Sequence, residues 1–115
     1  MVINRRYIMI FSSKELELTV LDPLVSRKVL PCGEDLMMVE VHFKKGGVGT
    51  PHAHTGHGQM SYVLSGRFEA IIGDEVKVLE KGDGFVADKN ILHGLKALED
   101  SVVLDVFTPI RADFL

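Results

Sequence analysis

The chain has no tryptophan, one cysteine and only 7% aromatic residues among its 115. With no second cysteine, Cys32 cannot close an internal disulfide or pair with another thiolate at a metal, so a buried thiol is expected. Long apolar runs are also missing: nothing approaches the ~20 residues that a membrane-spanning helix needs. Met1–Phe11 lacks the small-residue cleavage site of a secretion signal, which points to a cytoplasmic protein with no membrane partner. Nor is there an excess of positive charge. The chain carries 13 Lys and Arg against 16 Asp and Glu, a net charge of −3, with the basic residues scattered. A nucleic-acid partner, which calls for a clustered basic surface, is not expected.

Helical periodicity is absent as well, and no helix longer than two turns is expected. Short alternating runs punctuated by glycine take its place. Residues 4–11 and 16–21 read as an N-terminal arm and first strands, parted by the polar Ser12–Glu15. Strands are expected at 26–31, 35–43, 59–64, 67–72, 75–80, 85–87, 92–98 and 102–107. The turns between them include Ser65-Gly66, Gly73-Asp74 and Lys81-Gly82-Asp83-Gly84. The glycine-rich stretch Lys44–Pro51 reads as a connection, and Pro109 takes the tail 109–115 out of the sheet. About ten strands in a chain of this length imply one all-β domain, a closed or two-sheet antiparallel barrel. In the strand 35–43, alternation puts Met37, Val39, Val41 and Phe43 in the core and leaves His42 partly exposed.

Four of the five histidines fall between Pro51 and His93. His52 and His54 are one residue apart, so in extended backbone they face the same side. Gln59 starts the next alternating run and His93 follows a later one. A barrel can gather these four into a neutral ligand set, on which a divalent ion keeps its full charge and, with positions left open, acts as a Lewis acid. Tyr62, out of phase with Gln59, is expected to pack between sheets. His57, between two glycines, is placed at the rim as a substrate contact.

The spacing of these residues resembles a known pattern. Gly46, five residues, His52-Ala53-His54, four residues, Gln59, six residues and Gly66 match the first cupin motif, with Gln where Glu is usual. Gly82, ten residues and His93 resemble the second motif, although Asp88 and Asn90 stand where a proline and a glycine are usual, and Ala97 where an Asn closes it. Those departures put the shape of the loop in question rather than the ligand. Residues 26–115, including Ser26–Leu30, Asp35–Val41 and Ala97–Leu115, further resemble the small pectin-degradation cupins that linearise unsaturated uronates. The resemblance implies a cupin-type antiparallel β-barrel (jelly roll) and one divalent transition metal ion (Ni, Zn, Fe or Mn) on His52, His54, Gln59 and His93. It also implies an anionic sugar substrate handled by Asp105, Phe107 and Arg111.

The residues bear on those roles independently. In 102–107, Asp105 shares a face with Val103 and Phe107, so an inward Val103 face would carry a carboxylate into the barrel as a proton shuttle. Arg111, just past the proline, could hold a uronate carboxylate with its planar fork. The expected activity is ring opening of 4,5-unsaturated monouronates. A cupin dioxygenase, or a non-catalytic cupin that binds sugar or metal, is the alternative. The N-terminal arm and the apolar residues on both strand faces point to a homodimer.

Overall fold

A computed structural model of the chain describes residues 9–115, so most of the expected strand 4–11 lies outside the described residues. The ten strands are β1 Thr19–Asp22, β2 Val25–Val29, β3 Met37–Phe43, β4 Val48–His52, β5 Gly58–Ser65, β6 Arg67–Ile72, β7 Glu75–Glu80, β8 Gly84–Ala87, β9 His93–Ala97 and β10 Ser101–Thr108. Two single-turn 3-10 helices, Ser13–Glu15 and Ala112–Phe114, are the helices among the described residues. No helix is long and apolar enough to cross a membrane.

The strands form a six-stranded sheet, ordered β1-β2-β3-β10-β5-β8, and a four-stranded sheet, ordered β4-β9-β6-β7, with antiparallel pairing throughout. The inner faces of both sheets meet in a two-layer interior, as period-two patterning requires. Met37, Val39 and Phe43 are buried as expected, Val41 packs partly buried against them, and His42 faces outward, its Nε2 3.1 Å from Glu40 Oε1.

Three features depart from the sequence reading. Residues 48–52 form β4, paired with β9, rather than part of a connection; Gly49 and Pro51 hid a strand whose pairing shifts register between Gly49 and His52. A Cβ at Gly94 would fall within 3 Å of Pro51, so the glycine is what lets β9 lie against this irregular strand. Residues 9–11 are not a strand, and β1 begins only at Thr19. Tyr62 does not pack between the sheets: it is 52% exposed on the outer face of β5, where alternation with buried Ser61 and Val63 puts it.

One end of the interior is closed and apolar. Val25, Phe43, Val63, Phe68, Ala97 and Val103 form a single buried cluster in which the Phe43 and Phe68 rings meet edge to face at 5.1 Å. Gly66 makes the turn beside it. Its φ of 82° favours glycine, and a side chain there would collide with Ser101, whose hydroxyl accepts from the Arg67 amide. A second cluster, of Cys32, Met37, Val39 and Phe107, leads toward the other end. Cys32 is buried, as expected.

Candidate metal centre and cavity

The open end holds the expected site. His52 closes β4, His54 lies just beyond it, Gln59 is the second residue of β5, and His93 opens β9 directly across from His52. The ligand-capable atoms of His52, His54 and His93 all lie within 4.8 Å of one another, so imidazoles from two distant parts of the chain converge where one ion could sit. The two histidines of the pair do not share a strand, yet their rings still meet at 4.6 Å.

Local hydrogen bonds fix how these rings present themselves. His52 Nδ1 lies 2.7 Å from the Thr50 carbonyl oxygen, and His93 Nδ1 lies 2.9 Å from that of Ile91. A carbonyl only accepts, so each Nδ1 carries the proton and each Nε2 keeps its lone pair for the centre. Burial holds His54 down at about 4, with Arg111 and His52 adding to the effect. Burial likewise lowers His93, with His52 and Arg111 assisting. Both rings are therefore neutral near pH 7, the form in which imidazole ligates metal.

Gln59 completes the set. Its amide nitrogen donates to Ser61 Oγ at 2.9 Å, which turns Oε1 toward His54 Nε2 and His93 Nε2, at 3.1 Å from each. With His93 neutral and protonated on Nδ1, its Nε2 and Gln59 Oε1 are two acceptors facing one another. A cation shared between them resolves that contact, and the donor set therefore fits a divalent metal ion. A glutamate at 59 would have no proton to give Ser61.

Asp105 sits behind this group. The register of β10 on β5 sets Asp105 opposite Ser61 and Phe107 opposite Gln59. Ser61 donates its hydroxyl proton to Asp105 Oδ1 at 2.6 Å, so a chain runs from the carboxylate through Ser61 and Gln59 to the histidines. Burial raises the Asp105 carboxyl to about 6, against the lowering effect of bonds to Ser61 and Gln59 and of the nearby Arg111 guanidinium. Its inward direction answers the question that strand parity left open. Ser61 was not singled out from the sequence, although its parity puts it inward between Gln59 and Val63.

A cavity of about 210 Å³ opens over these groups, lined by His52, His54, Gln59, His93 and Asp105. Phe107 and Arg111 line it too. The C-terminal tail folds back over the mouth: Arg111 stacks on Phe114 at 4.1 Å, lies 5.5 Å from Phe107, and is held by Asp113 through bonds of 3.2 and 2.7 Å. His57 does not line the cavity. Its ring packs against His54 and Phe107 at 4.6 and 5.8 Å, behind the wall. In the loop before His93, Asn90 takes φ of 70° where the motif usually has glycine, and its backbone amide donates to the His54 carbonyl at 2.6 Å.

Residues 39–107 match the sequence profile of the cupin domain. Over 92 residues, 79% of this chain and 84% of the other, the sequence is 50% identical to the pectin degradation protein KdgF of Dickeya dadantii. The chain is a cupin of the KdgF family. The solved structure of KdgF from Halomonas sp. superposes with a TM-score of 0.91 at 42% identity, covering 95% of this chain and all of that one. An RmlC-like cupin from Shewanella frigidimarina superposes at 0.90 with 30% identity, covering 97% of this chain and 100% of its own. Within the family's barrel, the cupin motifs fall on the turns and ends of β4, β5 and β9, and Asp105, Phe107 and Arg111 gather over them from the last strand and the tail.

Proposed function

We propose that this KdgF-family cupin opens the ring of 4,5-unsaturated monouronates from pectin or alginate breakdown, giving the linear ketouronate. The observation that carries the reading is the chain from Asp105 through Ser61 and Gln59 to His54 and His93, which sets a carboxyl with a pKa raised to about 6 beside a neutral metal-ligand set in one cavity. His52, His54, Gln59 and His93 would hold one divalent ion, of Ni, Zn, Fe or Mn. Bound there, the ion supplies Lewis acidity toward the sugar's oxygens.

The remaining chemistry belongs to this chain's side chains. The reaction is an isomerisation and needs no oxidant. The proton of the anomeric hydroxyl leaves, C1 becomes a carbonyl as its bond to the ring oxygen breaks, the electron pair passes into the enol system, and C4 takes up a proton as C5 becomes the ketone. Asp105, its pKa raised to about 6 by burial, is suited to take the first proton and return it at C4. Ser61 aims its carboxylate. Arg111 adds positive charge for the uronate carboxylate, and Phe107 walls the cavity against water. Metal-loaded protein incubated with lyase-generated unsaturated monouronate should remove the enol-ether ultraviolet absorbance; a rate no faster than buffer with metal rejects the reading.

We further read the chain as a cytoplasmic homodimer. Support comes from apolar side chains left on the surface, among them Ile10, Val20, Met60, Tyr62 and Val86, all more than half exposed. Light scattering should give twice the chain mass, and a monomer would contradict it.

A further inference from the structure

The arginine expected to grip the substrate is already engaged. Arg111 spends the Nε and Nη2 edge of its guanidinium on the two oxygens of Asp113, the geometry that a carboxylate substrate would need. A second arginine lines the same cavity. Arg27 lies on β2 between Val25, buried in the apolar cluster, and Val29, packed on the second one, so strand parity turns it inward. Its guanidinium stacks on the Phe114 ring at 3.8 Å, and Arg111 stacks on the same ring at 4.1 Å.

An inward arginine is ordinarily paired. Among the described residues the Arg27 side chain makes no hydrogen bond and no ion pair, its contact being the stack on Phe114. The acidic groups around it are committed elsewhere: Asp113 to Arg111, Asp22 to the Leu24 amide, and Asp105 to Ser61. Arg111 is close enough to disfavour Arg27's charge, Asp113 partly offsets that, and burial is the larger cost. A partly buried planar cation with its donors unspent, held on an aromatic plate at the wall of a cavity, is arranged to receive an anion.

We propose that Arg27 is a substrate-binding residue that takes the uronate carboxylate on its planar fork, with Phe114 as the plate that orients it and Arg111 as the supporting charge. The proposal deepens the uronate reading above and rests on it. It also gives the tail a role: folding Phe114 between two guanidiniums ties the C-terminus to β2 and sets the carboxylate end of the cavity. Specificity then follows from charge, since a neutral ester of the same sugar offers Arg27 no anion.

The test compares wild type, Arg27→Gln and Arg27→Lys with the unsaturated monouronate and with its methyl ester, using metal-loaded protein. The expected result for Arg27→Gln is a KM for the acid raised about tenfold to a hundredfold, kcat within about threefold, and loss of the preference for acid over ester. Arg27→Lys keeps the charge without the fork and should fall between the two. An unchanged KM and an unchanged acid-over-ester preference in Arg27→Gln overturn the proposal while leaving the uronate reading standing. Binding of galacturonate, a saturated uronate, followed by calorimetry reads the same point without turnover. Wild-type binding that disappears in Arg27→Gln supports Arg27 even if ring opening fails, and equal binding by both rejects it. Should Arg27→Gln fold poorly, Arg27→Lys carries both comparisons, with wild-type-like values counting against the role.

Discussion

In β10 the inward Val103 belongs to the apolar cluster at the base of the cavity, while Asp105 and Phe107, on the same face of the same strand, line it beside the histidines. β5 runs the other way beside it and makes the same transition, from Val63 to Ser61 and Gln59. The two ends of the barrel therefore share backbone, register and burial, and differ only in what fills the inward positions. At the closed end stability comes from apolar area and ring packing. At the open end polar, hydrogen-bonded groups stand among the rings that wall the cavity, and burial lowers His54 and His93 and raises Asp105 from their ordinary pKa values. One sheet supplies rigidity at one end and spends it on orientation at the other.

That contrast can be broken from either side. His93→Ala at the open end should lower kcat/KM by on the order of 10³-fold, about 4 kcal/mol, and strip metal from the purified protein, while urea unfolding of the metal-free form moves by less than about 1 kcal/mol. Full metal content with near-wild-type rate would refute the ligand assignment. Phe68→Ala at the closed end should do the converse. Losing a fully buried ring costs about 3–5 kcal/mol in urea unfolding, with metal bound per folded molecule unchanged.

Asp105→Asn probes the boundary between the ends. It should cut kcat by about 10²–10⁴-fold, yet stabilise the metal-free protein above pH 6. The folded carboxyl sits at about 6 against an ordinary value of 3.8, so its ionisation costs nothing below pH 4 and about 2–3 kcal/mol once the pH has risen through 6. His54 has the opposite sign. Held down at about 4, it supports the fold fully above pH 6.5 and loses that contribution as the pH falls toward 4. His93, also lowered, has the same sign as His54, so the melting temperature of metal-free wild type should rise with pH between 4 and 6.5, and Asp105→Asn should steepen that rise. Identical pH profiles for the two proteins would show that Asp105 ionises as it does in water.

Much of this contrast is legible in the sequence, because period-two alternation and glycine turns are local signals. The all-β architecture, the strands from β5 to β10, the core face of β3 and the convergence of the histidines follow from them. β4 escaped because Gly49 and Pro51 are poor strand formers, and only pairing with β9 makes that segment extended. Tyr62 was read as out of phase with Gln59 and so packed between sheets, whereas that phase, shared with exposed Met60 and Leu64, puts it outside. What the sequence withheld is cross-strand register. Nothing local says that Ser61 stands opposite Asp105, or that Arg27 and Arg111 meet on Phe114. The inward parity of Arg27, between Val25 and Val29, was the available clue.

The most direct measurement is a metal titration of turnover. Protein stripped by chelator and dialysed free of it should show no loss of enol-ether absorbance from unsaturated monouronate. Activity should return in proportion to added divalent ion and saturate at one equivalent per chain, while His93→Ala stays inactive across the titration. Full turnover by the stripped protein, or recovery of His93→Ala alongside wild type, would contradict a metal-dependent ring opening built on this site.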